Sequence, residues 1–70
     1  MEDKLKTQSI NRLNIQDNII KVLEDNNINN LGTICGKSKT DLKKLDLTQH
    51  QITKIEIELQ LMGLALKNSL

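Results

Sequence analysis

The chain predicts an all-α domain, a compact bundle of four to five short helices that ends in a longer one. Three observations predict it. Apolar residues recur at spacings of three and four over most of the chain. Two capping-box patterns and several Asn or Gly stops cut that periodicity into short pieces. There is no internal repeat at solenoid spacing and no low-complexity stretch. With 70 residues, 37% of them hydrophobic, 27% charged and a formal net charge of +1, the composition is that of one small globular unit.

Taken in order, residues 1–8 are polar and aperiodic, and they are expected to form a flexible tail ahead of a single domain over 9–70. Ile10, Leu13 and Ile15 have mixed spacing, which fits a short irregular segment packed on the core. From Asp17 to about Asn26 the apolar set Ile19, Ile20, Val22 and Leu23 predicts a helix. Asp17 favours its positive end, and Asn26–Asn27 is a left-handed stop. Asn30 caps a very short helix with Leu31, Ile34 and Cys35 on one face, closed by Gly36. "SKTD" from Ser38 to Asp41 opens a third, in which Leu42 and Leu45 face inward. "TQHQ" from Thr48 to Gln51 then makes a sharp corner and caps the last helix. There Ile52, Ile55, Leu59 and Met62 point inward, and Gly63 and Leu64 form a Schellman-type stop.

The same composition excludes several classes of function. One cysteine permits neither an internal disulfide nor a cysteine-based zinc site. Cys35, on an apolar face, reads as a buried and inert thiol. His50 has no second histidine or cysteine to share a metal, so no cofactor is expected. Glu56 and Glu58, two apart on a helix, point to different faces and make no catalytic pair. No phosphate loop or nucleophile motif is present; no enzymatic activity and no small-molecule substrate are expected. Without Phe, Tyr or Trp there is no platform for stacking single-stranded bases. No apolar run reaches the roughly 18 residues of a membrane span. The amino terminus lacks a signal-peptide core, so the expected compartment is the cytoplasm.

Three features carry alternatives. Thr48 is either a helix cap or part of a corner that grips a phosphate. Lys37, Lys39, Lys43 and Lys44 crowd into eight residues, with Lys54 and His50 as possible neighbours. They make either a solvated face or a site for an anionic partner, since Lys39 and Lys43 repel each other at i, i+4. Ile57 and Leu61 either complete a core that lacks rings or stay exposed as a partner surface.

The run from Ser9 to Lys67 resembles the C-terminal domain of the bacterial RNA polymerase alpha subunit. The resemblance lies in the order and spacing of Ile10, Leu13, Ile15, Leu23, Ile28, Leu31, Ile34, Leu42, Leu45 and Leu47. It continues in "SKTDL", in Ile55 and Leu59, and in the ending Met62–Gly63–Leu64. It implies a helix-hairpin-helix-like corner before the last helix. It also implies a role in transcription, through contact with AT-rich upstream promoter DNA, transcription regulators or other polymerase components. The family grips DNA with an Arg and an Asn of its first long helix and a Gly-Lys-Ser corner. Those positions fall here on Asn18 and Lys21, and on Thr48, His50 and Gln51, none of which keeps the family residue. The candidate nucleic-acid-binding residues are therefore Asn18, Lys21, Lys43, Lys44, Thr48, Gln49, His50 and Gln51. Any DNA binding is expected to be weak, and a free-standing interaction module on the same frame is the alternative.

Overall fold

The computed structural model describes residues 7–67. A single turn of 3-10 helix over Ile10–Arg12 is followed by four α-helices, α1 (Asp17–Asp25), α2 (Leu31–Cys35), α3 (Lys39–Lys43) and α4 (Gln49–Leu61). The radius of gyration, 10.8 Å, is close to the roughly 11 Å that 70 close-packed residues should have. The bundle is as tight as its small aliphatic core allows.

Each boundary has a local cause. The carboxamide oxygen of Asn30 accepts the Thr33 N–H at 2.8 Å and starts α2. Ser38 and Asp41 bond reciprocally at 3.1 Å in both directions and start α3. Thr48 and Gln51 do the same for α4, at 3.1 and 2.9 Å. Two helices end in Schellman motifs. The Ile28 N–H reaches the Leu23 carbonyl at 2.9 Å, with Asn27 at φ 63°. The Leu64 N–H reaches the Leu59 carbonyl at 2.8 Å, with Gly63 at φ 77°. Gly36 departs from expectation: it ends α2 at φ −81°, within the helical region, so no left-handed turn is needed there. The left-handed residue the sequence did not flag is Asp46, at φ 65°, which turns the chain from α3 toward Leu47.

These positive-φ residues carry a stability prediction. An alanine Cβ in the left-handed region costs about 1–2 kcal/mol, whereas space is not limiting at Gly63, where an added Cβ meets nothing within 4 Å. Gly63→Ala should therefore lower the thermal midpoint by roughly 4–16 °C. Asp46→Gly should leave it unchanged or raise it, because glycine relieves the same strain at the corner. Paired melts followed by circular dichroism check both.

The core is entirely aliphatic. Ile10, Leu13, Ile19, Leu23, Ile28, Leu31, Ile34, Leu42, Leu47, Ile52, Ile55, Leu59 and Leu66 are buried. Ile20, Val22, Leu45 and Met62 lie half-buried against them. Cys35 is half-buried rather than fully enclosed. Two isolated backbone bridges fasten the ends of the chain: Ser9 pairs with Asn30, and Ser38 with Lys67. Of the expected tail, residues 1–6 lie outside the described residues. Gln8 is already tied in, because its carbonyl accepts the Leu31 N–H at 2.9 Å. After Gly63 the chain turns back, buries Leu66 and gives the Lys67 N–H to the Lys37 carbonyl at 2.9 Å. That return brings the last described residues onto the start of α3. No helix among the described residues is long and apolar enough to cross a membrane.

Candidate nucleic-acid interface

The start of the first long helix and the corner before the last one lie side by side, with Lys21 outside the space between them. A cleft of about 370 Å³ is lined by Asn14, Ile15, Gln16 and Ile19 on one wall, and by His50, Gln51 and Lys54 on the other. Two helix starts therefore open into the same space. At the α1 start the N-cap residue Gln16 makes no side-chain bond to the first turn. At the start of α4, the Gln51 N–H is taken by Thr48, while those of Gln49 and His50 make no hydrogen bond within the described protein. Uncapped N–H groups at a helix start carry partial positive charge.

The sequence-derived candidates divide on this rim. His50 and Gln51 line the cleft itself. Asn18 is exposed beside it, between the lining residues Gln16 and Ile19 in sequence, and its carboxamide oxygen accepts the Ile19 N–H at 3.0 Å. Lys21 is exposed one turn further along α1 and is not among the lining residues. Thr48 and Gln51 are held in their capping box, and Gln49 donates to the Thr53 hydroxyl at 3.3 Å. The polar corner thus caps its own helix, with the Thr48 and Gln51 side chains committed to that task. Lys43 and Lys44 are exposed but do not border the cleft. Lys44 instead lines a separate depression of about 350 Å³ with Lys37, Asp41, Asn26, Ile28, Gly36 and Leu45.

The lysine crowding looks different in three dimensions. Lys39 does not wait for an external anion: its ammonium lies 3.2 Å from Glu56 of α4 and bridges the last two helices. Lys54 pairs with Glu58 at 3.1 Å along α4. The repulsion expected between Lys39 and Lys43 is offset by a carboxylate 17 positions away, which linear spacing does not reveal. Sequence reasoning also missed Asn14, Ile15 and Gln16 as lining residues. The only available signal was their place immediately before the predicted helix start at Asp17. Among the described residues, no group of His, Cys, Asp or Glu side chains is arranged to hold a metal ion.

Asp41 is more acidic than an ordinary aspartate. The Ser38 backbone N–H, then the Ser38 hydroxyl, hold its carboxyl below the usual carboxylate range, with smaller help from Lys44 and Lys37. A depressed folded value means that the unfolded chain takes up the proton first as pH falls. The contribution is complete above the ordinary aspartate value of about 3.9 and is lost as pH falls through the folded value. Denaturation midpoints measured between neutral pH and about pH 3 should fall less steeply for Asp41→Asn than for the parent.

Comparison with protein-family models finds no match, and comparison with curated proteins finds no significant relative. The resemblance to the polymerase domain rests on the residue pattern alone.

Proposed function

We propose that the chain is a non-catalytic, transcription-related domain similar to the C-terminal domain of the RNA polymerase alpha subunit, using the cleft between the starts of α1 and α4 to contact AT-rich upstream promoter DNA, regulators, or both. The observation that supports this most is the joint lining of that cleft by Gln16 and Ile19 with His50 and Gln51. Those are the neighbourhoods in which the family grips a duplex. The chemistry left there is modest. Lys54 brings one ammonium, itself paired with Glu58, and the free N–H groups of Gln49 and His50 add partial charge.

Two or three phosphate contacts correspond to a log–log salt slope of about −2 to −3, with affinity in the millimolar-to-micromolar range. Fluorescence anisotropy of a labelled AT-rich duplex at several salt concentrations tests this. Salt-sensitive binding with such a slope supports the proposal, and no binding at low salt overturns its DNA half.

A second reading has its own observation. Thr48 and Gln51 of the corner are spent on capping, two lysines are neutralised internally, and Ile57 and Leu61 are 46% and 75% exposed. A domain that has given up DNA and binds a protein of the transcription machinery would have this distribution of polar and apolar surface.

A further inference from the structure

The lysines crowded around α3 part company in three dimensions. Lys39 turns to α4 and pairs with Glu56, whereas Lys37 and Lys44, seven positions apart, bracket α3 and line one depression of about 350 Å³. The ion pairs among the described residues are Lys39–Glu56 and Lys54–Glu58, so both of these ammonium groups are unpaired. Behind the Ser38 bonds, both help to keep Asp41 acidic without closing on it as an ion pair. Asp41 is the one carboxylate in the lining, against two lysines; Glu24, Asp25 and Asp46 are close in sequence but do not line it. Lys67, exposed, is brought next to Lys37 by giving its N–H to the Lys37 carbonyl. The depression is therefore net positive, and it also holds acceptors. The Asp41 carboxylate has about four lone-pair sites, more than its Ser38 bonds occupy. Asn26 donates its carboxamide N–H to the Val22 carbonyl at 2.8 Å, while its oxygen accepts no hydrogen bond among the described residues. Ile28 and Leu45 add apolar lining, and Gly36 adds a wall without a side chain.

From this we infer that the depression beside α3 is a docking site for an extended acidic segment of a partner protein. Such a segment carries the whole complement of the lining. Its carboxylates meet Lys37 and Lys44, its backbone N–H groups meet the open oxygens of Asp41 and Asn26, and an aliphatic side chain meets Leu45. An extended chain has those N–H groups to give, whereas a helix has used its own. The volume suits one or two side chains, being at the small end of binding pockets. A duplex is the poorer occupant. Its backbone offers acceptors only, so its phosphates would meet the lysines but also face the Asp41 carboxylate. The assignment rests on the protein-partner reading and names where the partner sits and what it carries. It lies apart from the cleft between the starts of α1 and α4, with which it shares no lining residue.

The test uses the whole chain, two blocked peptides and an AT-rich duplex. The first peptide is Glu-Ala-Leu-Ala-Glu, whose alternate side chains share one face when extended; the second has Gln for Glu. Amide shifts are followed during titration to millimolar concentration. The Glu peptide is expected to shift Gly36, Lys37, Asp41 and Lys44, and to bind about fivefold more tightly than the Gln peptide, the value of two exposed ion pairs. Lys37→Gln and Lys44→Gln should each lower that affinity about twofold while keeping the parent helix content. Lys39→Gln should leave it unchanged, because that ammonium is engaged with Glu56. Equal binding of the two peptides, no binding, or shifts confined to other faces overturns the inference. So do duplex shifts at Lys37 and Lys44 larger than those from the Glu peptide, which would assign these lysines to phosphates. Failure of the broader partner reading looks different: salt-sensitive shifts from the duplex at the cleft between the starts of α1 and α4.

Discussion

Replacing Leu23 with alanine is expected to leave the domain largely unfolded at room temperature. Leu23 is completely buried near the end of α1, and its carbonyl accepts the N–H groups of both Asn26 and Ile28 at the Schellman stop. Its side chain thus sits where the helix ends and the chain turns into the core. Large-to-small changes at such positions cost about 2–5 kcal/mol, depending on how far the site collapses. A core of this size supplies only about 3–5 kcal/mol in total. With no aromatic ring nearby to shift into the gap, collapse is limited to other aliphatic side chains. The matched control is Leu61→Ala, which should change stability by less than about 0.5 kcal/mol because that side chain is already in water. Urea denaturation of both variants decides. An L23A protein with the parent's midpoint would show that the core is not closed around α1 as described.

Asn18→Arg is expected to raise affinity for an AT-rich duplex about tenfold at low salt, the value of one charge-assisted contact. It should also steepen the salt slope by about 0.9. Asn18 occupies the position at which the resembling family carries arginine, on an exposed turn beside the cleft residues Gln16 and Ile19. On the proposed docking, a guanidinium there would enter the narrow minor groove, where the negative potential is strongest. The cost to the fold is small, since a cation near the positive end of a helix loses about 0.3–1 kcal/mol. Asn18→Gln, which adds reach without charge, should leave both affinity and slope unchanged. If arginine does no better than glutamine, the rim is not the DNA-facing surface.

Much of the fold was legible because its signals are local. Capping boxes at Ser38 and Thr48, the Asn30 cap and the Asn27 and Gly63 stops all act within five residues, and each appears where the sequence put it. The inward stripes of α1 and α4 were likewise visible as periodicity. Leu66 was not, because its burial depends on the chain folding back after Gly63 and pairing Lys67 with Lys37, a contact made across 30 positions. Asp46 was missed because aspartate is only one of several residues that tolerate positive φ, and nothing nearby marks it.

The candidate site divides along the same line. Thr48 and Gln51 could be read as a cap from four consecutive letters, and the cap is what they form. The pairing of Lys39 with Glu56 is tertiary, so a cluster that looked unpartnered in sequence is partly neutralised in space. The exposure of Ile57 and Leu61 depended on whether a core without rings needed them. Thirteen other aliphatic side chains fill it, and these two are left outside.

The central claim is that the two helix starts act as one DNA-facing rim. Its most direct test is an amide-shift map of the chain with an AT-rich duplex at low and moderate salt. Perturbations concentrated at Asn14–Ile19 and at Gln49–Lys54, shrinking together as salt rises, are the predicted result. No perturbation at low salt, or perturbations gathered at the far end of α4 around Gln60–Leu64, would contradict it.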